Sequence, residues 1–271
     1  MAAAVPASGV LRALSGAAKK YGFLLRELIV RDFKVKYKRS ALGMLWSLLY
    51  PVLMMCVMAV VFRNVFRFSV PGVSYLSYLM TGLTLFNYFS EASNLAMSSV
   101  VANFSLLGKV YMPKYIFPLS KCLVVGINFL LTLLPLYAVI LLTGTGLCWQ
   151  HLLLPYCYAC LLGFTLGVAL LLSAAAVFLR DLFYIYGIVL TVWTYLTPIM
   201  YDVSMIGSAP LIALLRLNPL YQYISFARTI VLFHATPAPR QFLFCALSAL
   251  IALLAGAVFF RRTQDRFIYY V

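Results

Sequence analysis

The densest chemistry in this sequence lies between Arg26 and Arg39, where Arg31, Lys34, Lys36, Lys38 and Arg39 crowd one short segment. A guanidinium binds phosphate through two parallel N–H donors and an ammonium binds it as a point charge. The cluster therefore suits a phosphate-bearing ligand or the anionic head groups of a membrane. Glu91 closes a long charge-free run and reads either as a helix-end carboxylate or as a coupling or gating contact. Other chemistries lack their patterns. Gly108-Lys109 is followed by Val110 and has no upstream glycine at P-loop spacing, so this chain has no such cradle for ATP phosphates. His151 and His234 lie far apart and read as solvated rather than catalytic. Cys157 and Cys160 form a C-x-x-C inside an apolar run without a βαβ pattern, which argues against redox or zinc chemistry.

The elements that must position the basic cluster are membrane elements. Of the 271 residues, 65% are hydrophobic and only 10% are charged, against about 25% charged in soluble domains. The net charge of +15 sits beside apolar runs, so lipid head groups and anionic substrates, not nucleic acid, are the expected partners. Residues 22–39 place Leu25, Leu28, Ile29 and Phe33 near one helical face and Arg26, Glu27, Arg31, Lys34 and Lys38 on the other, although Asp32 and Lys36 intrude on the apolar stripe. That pattern predicts an amphipathic helix lying in the membrane interface, preceded by a flexible cytoplasmic tail over residues 1–21.

Charge-free runs give the spans, each needing about 20 apolar residues. They are Ser40–Phe62, Phe68–Ser90, a long run from Cys122 to Leu179 broken in two at Thr143-Gly144-Thr145-Gly146, Leu182–Tyr201 and Gln241–Phe260. Residues 202–240 are interrupted by Asp202, Pro210, Arg216, Pro219, Arg228, Pro237 and Pro239. There the sequence predicts short re-entrant helices in the outer leaflet, shielded by protein. The fold class is thus all-α, a polytopic membrane protein of six transmembrane helices with an N-terminal amphipathic helix. Sixteen of the 21 Lys and Arg fall on the side that holds both termini, against five on the other, which predicts cytoplasmic N- and C-termini.

Aromatic residues concentrate on two of these spans: Tyr75, Tyr78 and Phe86 on the second, and Tyr184, Trp193 and Tyr195 on the fifth. They read as an interfacial belt and packing, or as rings that stack on sugar faces. Gly163-x-x-x-Gly167 reads as a close helix contact.

The stretch Arg26-Glu27-Leu28-Ile29-Val30-Arg31-Asp32-Phe33-Lys34-Val35-Lys36-Tyr37-Lys38-Arg39-Ser40-Ala41-Leu42-Gly43-Met44-Leu45-Trp46 resembles the opening of polysaccharide-export ABC permeases. These are the membrane subunits of O-antigen and teichoic-acid exporters in the type-2 ABC class. Leu85–Ala92, Lys109-Val110-Tyr111-Met112-Pro113, Phe178-Leu179-Arg180-Asp181-Leu182 and Leu217-Asn218-Pro219-Leu220 follow in the family's order, so the resemblance covers residues 22–262.

The resemblance implies a transmembrane permease domain over residues 22–271 in a bacterial cytoplasmic membrane. It implies a homodimer with two ATP-binding ABC subunits, which bind ATP and Mg, while this chain carries no cofactor or metal and is not itself an enzyme. The cargo it implies is a glycan on a polyprenyl diphosphate; the alternative is a smaller amphiphile such as a drug or lipid. On this reading Arg31, Lys34, Lys36, Lys38 and Arg39 meet the diphosphate. Tyr75, Tyr78, Phe86, Tyr184, Trp193 and Tyr195 face the channel. Glu91, Ser99, Asn103, Lys109, Arg180 and Asp181 couple to the ATP-binding subunit.

Overall fold

The computed structural model describes residues 7–38, 43–64, 73–104, 112–203 and 206–270, and these are all-helical. The helices are α1 (Ala7–Tyr37), α2 (Trp46–Asn64), α3 (Tyr75–Ala102), α4 (Ile116–Leu142), α5 (Leu154–Phe178), α6 (Leu182–Leu196), α7 (Ala209–Leu217), α8 (Pro219–Val231) and α9 (Pro239–Thr263). Among the described residues, three segments are long and apolar enough to cross a membrane: Ile116–Leu142, Trp149–Phe178 and Pro239–Phe267. The segment between Asp202 and Arg240 forms the two short helices α7 and α8.

Small residues let α3 sit at the centre of the bundle. Gly82, Ala92, Ser93, Ala96 and Ser99 are all buried, small residues that permit close approach, and α3 packs most extensively against α4 and α5. Glu91, read from the sequence as the end of the second span, lies inside α3, which runs on to Ala102. The residues after Glu91 are small but hold neither proline nor glycine, so nothing stops the helix there. By contrast the Thr143–Gly146 break does separate two helices: Gly144 and Gly146 adopt φ of 73° and 77°, a region open to glycine at no steric cost.

Of the Gly163/Gly167 pair, Gly167 makes a backbone-to-backbone crossing with Gly256, whereas a Cβ on Gly163 would meet only ordinary contacts from Ala249 and Leu253. A Cβ on Gly167 would overlap the backbone of Ala252 and Leu253, and one on Gly256 would overlap the Gly167 carbonyl. Contacts advance together along both helices, so α5 and α9 run parallel. The opposite face of α9, with Leu243, Leu247, Leu250, Leu254 and Val258, is exposed, as a lipid-facing stripe would be.

The fifth sequence run extends to Tyr201, yet α6 stops at Leu196. Fifteen residues at 1.5 Å rise give about 22 Å, less than the roughly 30 Å hydrocarbon core. Thr197–Tyr201 continues as irregular backbone.

Cross-bundle contacts fix two ends. Ser77 Oγ lies 2.8 Å from Thr143 Oγ1 at the end holding α7 and α8. Near the other end, Lys114 Nζ donates to the Gln264 carbonyl at 2.5 Å, and Phe267 is fully buried beside Phe178 and Phe260.

Candidate functional site

The amphipathic helix is docked on protein through one continuous face. Tyr21, Leu24, Leu25 and Leu28 pack against Ile116 and Phe117 at the start of α4. One and two turns further along lie Asp32 and Lys36, the residues that break the apolar stripe, and both make ion pairs with other helices. Lys121 Nζ of α4 meets Asp32 Oδ2 at 2.6 Å. Arg31 Nη2 meets Asp32 Oδ1 at 2.9 Å and donates to Asn103 Oδ1 of the α3 C-terminus at 3.3 Å. Lys36 Nζ meets Glu91 Oε1 of α3 at 2.8 Å. The surroundings of the two pairs differ: the Asp32 side chain is 12% exposed, whereas Lys36 and Glu91 are 40% and 44% exposed.

The Lys36–Glu91 pair stands at the mouth of a cavity of about 690 Å³ between α2, α3 and α4. Thr84, Asn87, Glu91 and Asn94 form a polar stripe along α3, faced by Asn128 and Thr132 of α4 and by Trp46, Tyr50 and Met54 of α2. Amides and hydroxyls both donate and accept, and flat rings and thioethers present apolar surface. The walls therefore match a ligand that is polar at its edges and apolar on its faces. The stripe was missed in the sequence, although its spacing of three and four residues inside an apolar helix is the available signal.

At the opposite end four consecutive carbonyls are held by side chains. Arg228 of α8 is 5% exposed. It donates from Nη1 to the Pro198 carbonyl at 2.7 Å and from Nη2 to the Ile199 carbonyl at 2.7 Å and the Tyr78 carbonyl at 3.2 Å. Tyr75 Oη donates to the Met200 carbonyl at 2.8 Å and Tyr78 Oη to the Tyr201 carbonyl at 3.0 Å. The guanidinium also stacks over the Tyr78 ring, 3.4 Å from its centroid. Irregular backbone between helices leaves carbonyls without helical partners, and buried carbonyls need donors. Arg228 and the two tyrosines supply them. Gly82 makes room, since a Cβ there would lie 2.7 Å from Arg228 Nη2. Beside this clamp, Asn218 caps α8 through Leu220 N, accepts from Trp193 Nε1 at 3.1 Å and donates to Thr197 Oγ1 at 2.9 Å.

The six aromatic candidates thus fall into two groups. Tyr75 and Tyr78 serve the clamp, Phe86 is in the core near Phe89, and Trp193 stacks edge-on against Phe89 at 5.2 Å. Tyr184 and Tyr195 instead stand out from α6, 80% and 68% exposed.

Of the basic candidates, Arg31 and Lys36 are in ion pairs, Lys34 and Lys38 are exposed, and Arg39 lies outside the described residues. Among the coupling candidates Ser99 and Asn103 are buried at the α3 C-terminus. Glu91 faces the cavity, Arg180 and Asp181 are exposed at the α5–α6 turn, and Lys109 is outside the described residues.

A model of the ABC-2 type transporter family matches residues 24–233. The chain is 30% identical over 250 residues to the O-antigen export system permease protein RfbA of Myxococcus xanthus, covering 92% of this chain and 95% of that one. A protein of the same name from Klebsiella pneumoniae is 30% identical over 190 residues, 68% of this chain and 72% of its own. The polysialic acid transport protein KpsM of Escherichia coli matches over a shorter stretch, 28% identical over 76 residues, 28% of this chain and 30% of its own. The span of the family match, together with the length shared with the Myxococcus protein, shows that this chain belongs to the ABC-2 type transporter family.

Proposed function

We propose that this chain is the membrane subunit of an ATP-driven polysaccharide exporter in a bacterial cytoplasmic membrane, and that its cargo is a glycan carried on a polyprenyl diphosphate. What supports this most directly is the open groove on α3, a polar stripe between aromatic and thioether walls with a charged pair at its mouth. The printed names of the relatives, O-antigen and polysialic acid transporters among them, agree with it.

In this reading both termini are cytoplasmic. The six spans are α2, α3, α4, α5, α6 with its irregular extension, and α9. Helices α7 and α8 dip into the outer leaflet, and the Arg228 clamp seals irregular backbone at membrane depth, where unpaired carbonyls are costly. Helix α1 lies along the cytoplasmic interface, and its basic residues receive the diphosphate.

A second copy of the chain faces the groove and the exposed side of α6, so that Tyr184 and Tyr195, with Trp46 and Tyr50, border the path between the copies. Stacking is weak per ring, about 0.5–1.5 kcal/mol by analogy with aromatic pairs. Many weak contacts let a polymer slide without a deep trap. Tyr75, Tyr78, Phe86 and Trp193 act behind this surface: the two tyrosines hold the Thr197–Tyr201 segment, and Phe86 and Trp193 lie against Phe89 of α3. Two ATP-binding subunits, which hold ATP and Mg, dock where α3 ends near Ser99–Asn103, on the Lys109 segment and at the Arg180–Asp181 turn.

The test is deletion of the gene in its own host. Surface polysaccharide should disappear while lipid-linked glycan accumulates in the cytoplasmic leaflet, and plasmid-borne wild type should restore export. Unchanged surface glycan would refute the reading.

A further inference from the structure

We infer that the Lys36–Glu91 ion pair is an exchangeable latch: the cargo's phosphates replace the Glu91 carboxylate on Lys36, so that Glu91 sets how much anionic charge a lipid must carry to be accepted. The inference rests on the lipid-diphosphate cargo proposed above.

Helix α1 is held to the bundle by two ion pairs one helical turn apart, and they are unequal. Asp32 is nearly enclosed and gripped by both Lys121 and Arg31, so it holds its place. The Lys36–Glu91 pair is close to half exposed on both sides. Water screens such pairs, and they contribute little net stability. One contact is therefore an anchor and the other can be released without undocking the helix.

The position of the weaker pair gives it a role. Both partners line the mouth of the groove, and Asn87 and Asn94 lie one turn to either side of Glu91 on the same face of α3. A phosphate arriving there meets the Lys36 ammonium together with the Glu91 carboxylate. Like charges repel, so the arriving anion and Glu91 compete for Lys36.

A diphosphate brings more charge and more acceptor oxygens than one carboxylate, and it prevails. An ordinary anionic phospholipid with a single phosphodiester charge gains no such advantage. This addresses a problem posed by a basic helix at a bilayer surface, which attracts every anionic head group there. Glu91 keeps Lys36 occupied against the abundant singly charged lipids and yields it to the diphosphate. The exchange is non-covalent: one ion pair opens and another closes.

The test uses the full-length chain with its ATP-binding partner in phosphatidylcholine nanodiscs. The probes are polyprenyl diphosphate, the uncharged polyprenol and phosphatidylglycerol. Wild type should prefer the diphosphate to the polyprenol. Glu91→Gln should bind the diphosphate about two- to fivefold more tightly, the range expected for losing an exposed competing pair, and phosphatidylglycerol should become a better competitor. Lys36→Gln should bind more weakly, Lys36→Arg should keep the preference for diphosphate over polyprenol, and the Glu91→Gln gain should vanish in the Lys36→Gln background. Binding is compared per assembled complex by gel filtration.

A gain from Glu91→Gln that persists without Lys36 would overturn the latch alone, because it would be simple repulsion. No gain from Glu91→Gln in an otherwise discriminating complex would also overturn it. Failure of wild type to prefer the diphosphate to the polyprenol would overturn the cargo reading and the latch with it.

Discussion

Replacing Arg228 by Met isolates what the carbonyl clamp does. The substitution keeps an apolar stem of similar length and removes the donors to the Pro198 and Ile199 carbonyls. Each buried carbonyl left unpaired costs about 1–3 kcal/mol, together about 2–6 kcal/mol. Loss of the stacking on Tyr78 adds about 2 kcal/mol when the cation is desolvated. Against this, the variant no longer holds a cation out of water, a burden of several kcal/mol. We take the balance as about 2–3 kcal/mol against the closed segment, roughly 30- to 150-fold in its opening equilibrium at 1.4 kcal/mol per factor of ten.

The assay is amide hydrogen exchange across residues 197–203 in nanodiscs, which reports local opening directly. Exchange there should accelerate by that factor in Arg228→Met while the α5–α9 amides stay as in wild type. Lys at 228 keeps the charge but not the planar fork, so it should fall between the two. Exchange within threefold of wild type would refute the argument that Arg228 holds these carbonyls.

Gly167→Leu and Gly256→Leu should each lower the amount of assembled protein in the membrane severely, because the α5 and α9 backbones touch at these positions; quantitative blotting after gel filtration measures it. Asp32→Asn should loosen α1 by about 1–3 kcal/mol, since Lys121 loses a well-shielded partner, and should raise proteolysis near Tyr21 more than Lys36→Gln does. Asn87→Leu with Asn94→Leu should leave protein level unchanged and reduce export per complex at least severalfold, scored as surface glycan at matched abundance. Under the same assay Tyr184→Ala and Tyr195→Ala should reduce export, whereas Trp193→Ala should act mainly through stability by freeing Asn218.

Much of the architecture could be read from runs and breakers, because membrane helices announce themselves by lacking charge. The Thr143–Gly146 break was legible since two glycines there take positive φ. Charge misled where it was paired. Glu91 reads from the sequence as a helix end or as a coupling contact, with nothing to choose between them, because its partner, Lys36, lies 55 residues away. Asp32 and Lys36 read as faults in an amphipathic stripe because their partners, Lys121 of α4 and Glu91 of α3, are remote in sequence. By sequence alone Arg228 is one of five basic residues expected on the outer side. Its real partners are backbone carbonyls, and no residue type reveals those. The α3 stripe was visible in spacing alone, but Asn87 and Asn94 carry no charge and drew no notice beside the aromatics.

The glycine contact between α5 and α9 divides the molecule mechanically. Backbone touching backbone leaves no side-chain slack, so these two helices can neither slide nor roll past each other without first separating. Helix α6 buries only Tyr186 and Leu190, and α2 is exposed along Tyr50, Leu53, Met54, Val57 and Val60. Any cycle of widening and narrowing then has a stator and a moving part, with α5 and α9 as the fixed wall and α2 and α6 as the panels that swing. Probe pairs across α5–α9 would keep one distance throughout ATP turnover, while pairs joining α2 or α6 to that wall would report the stroke.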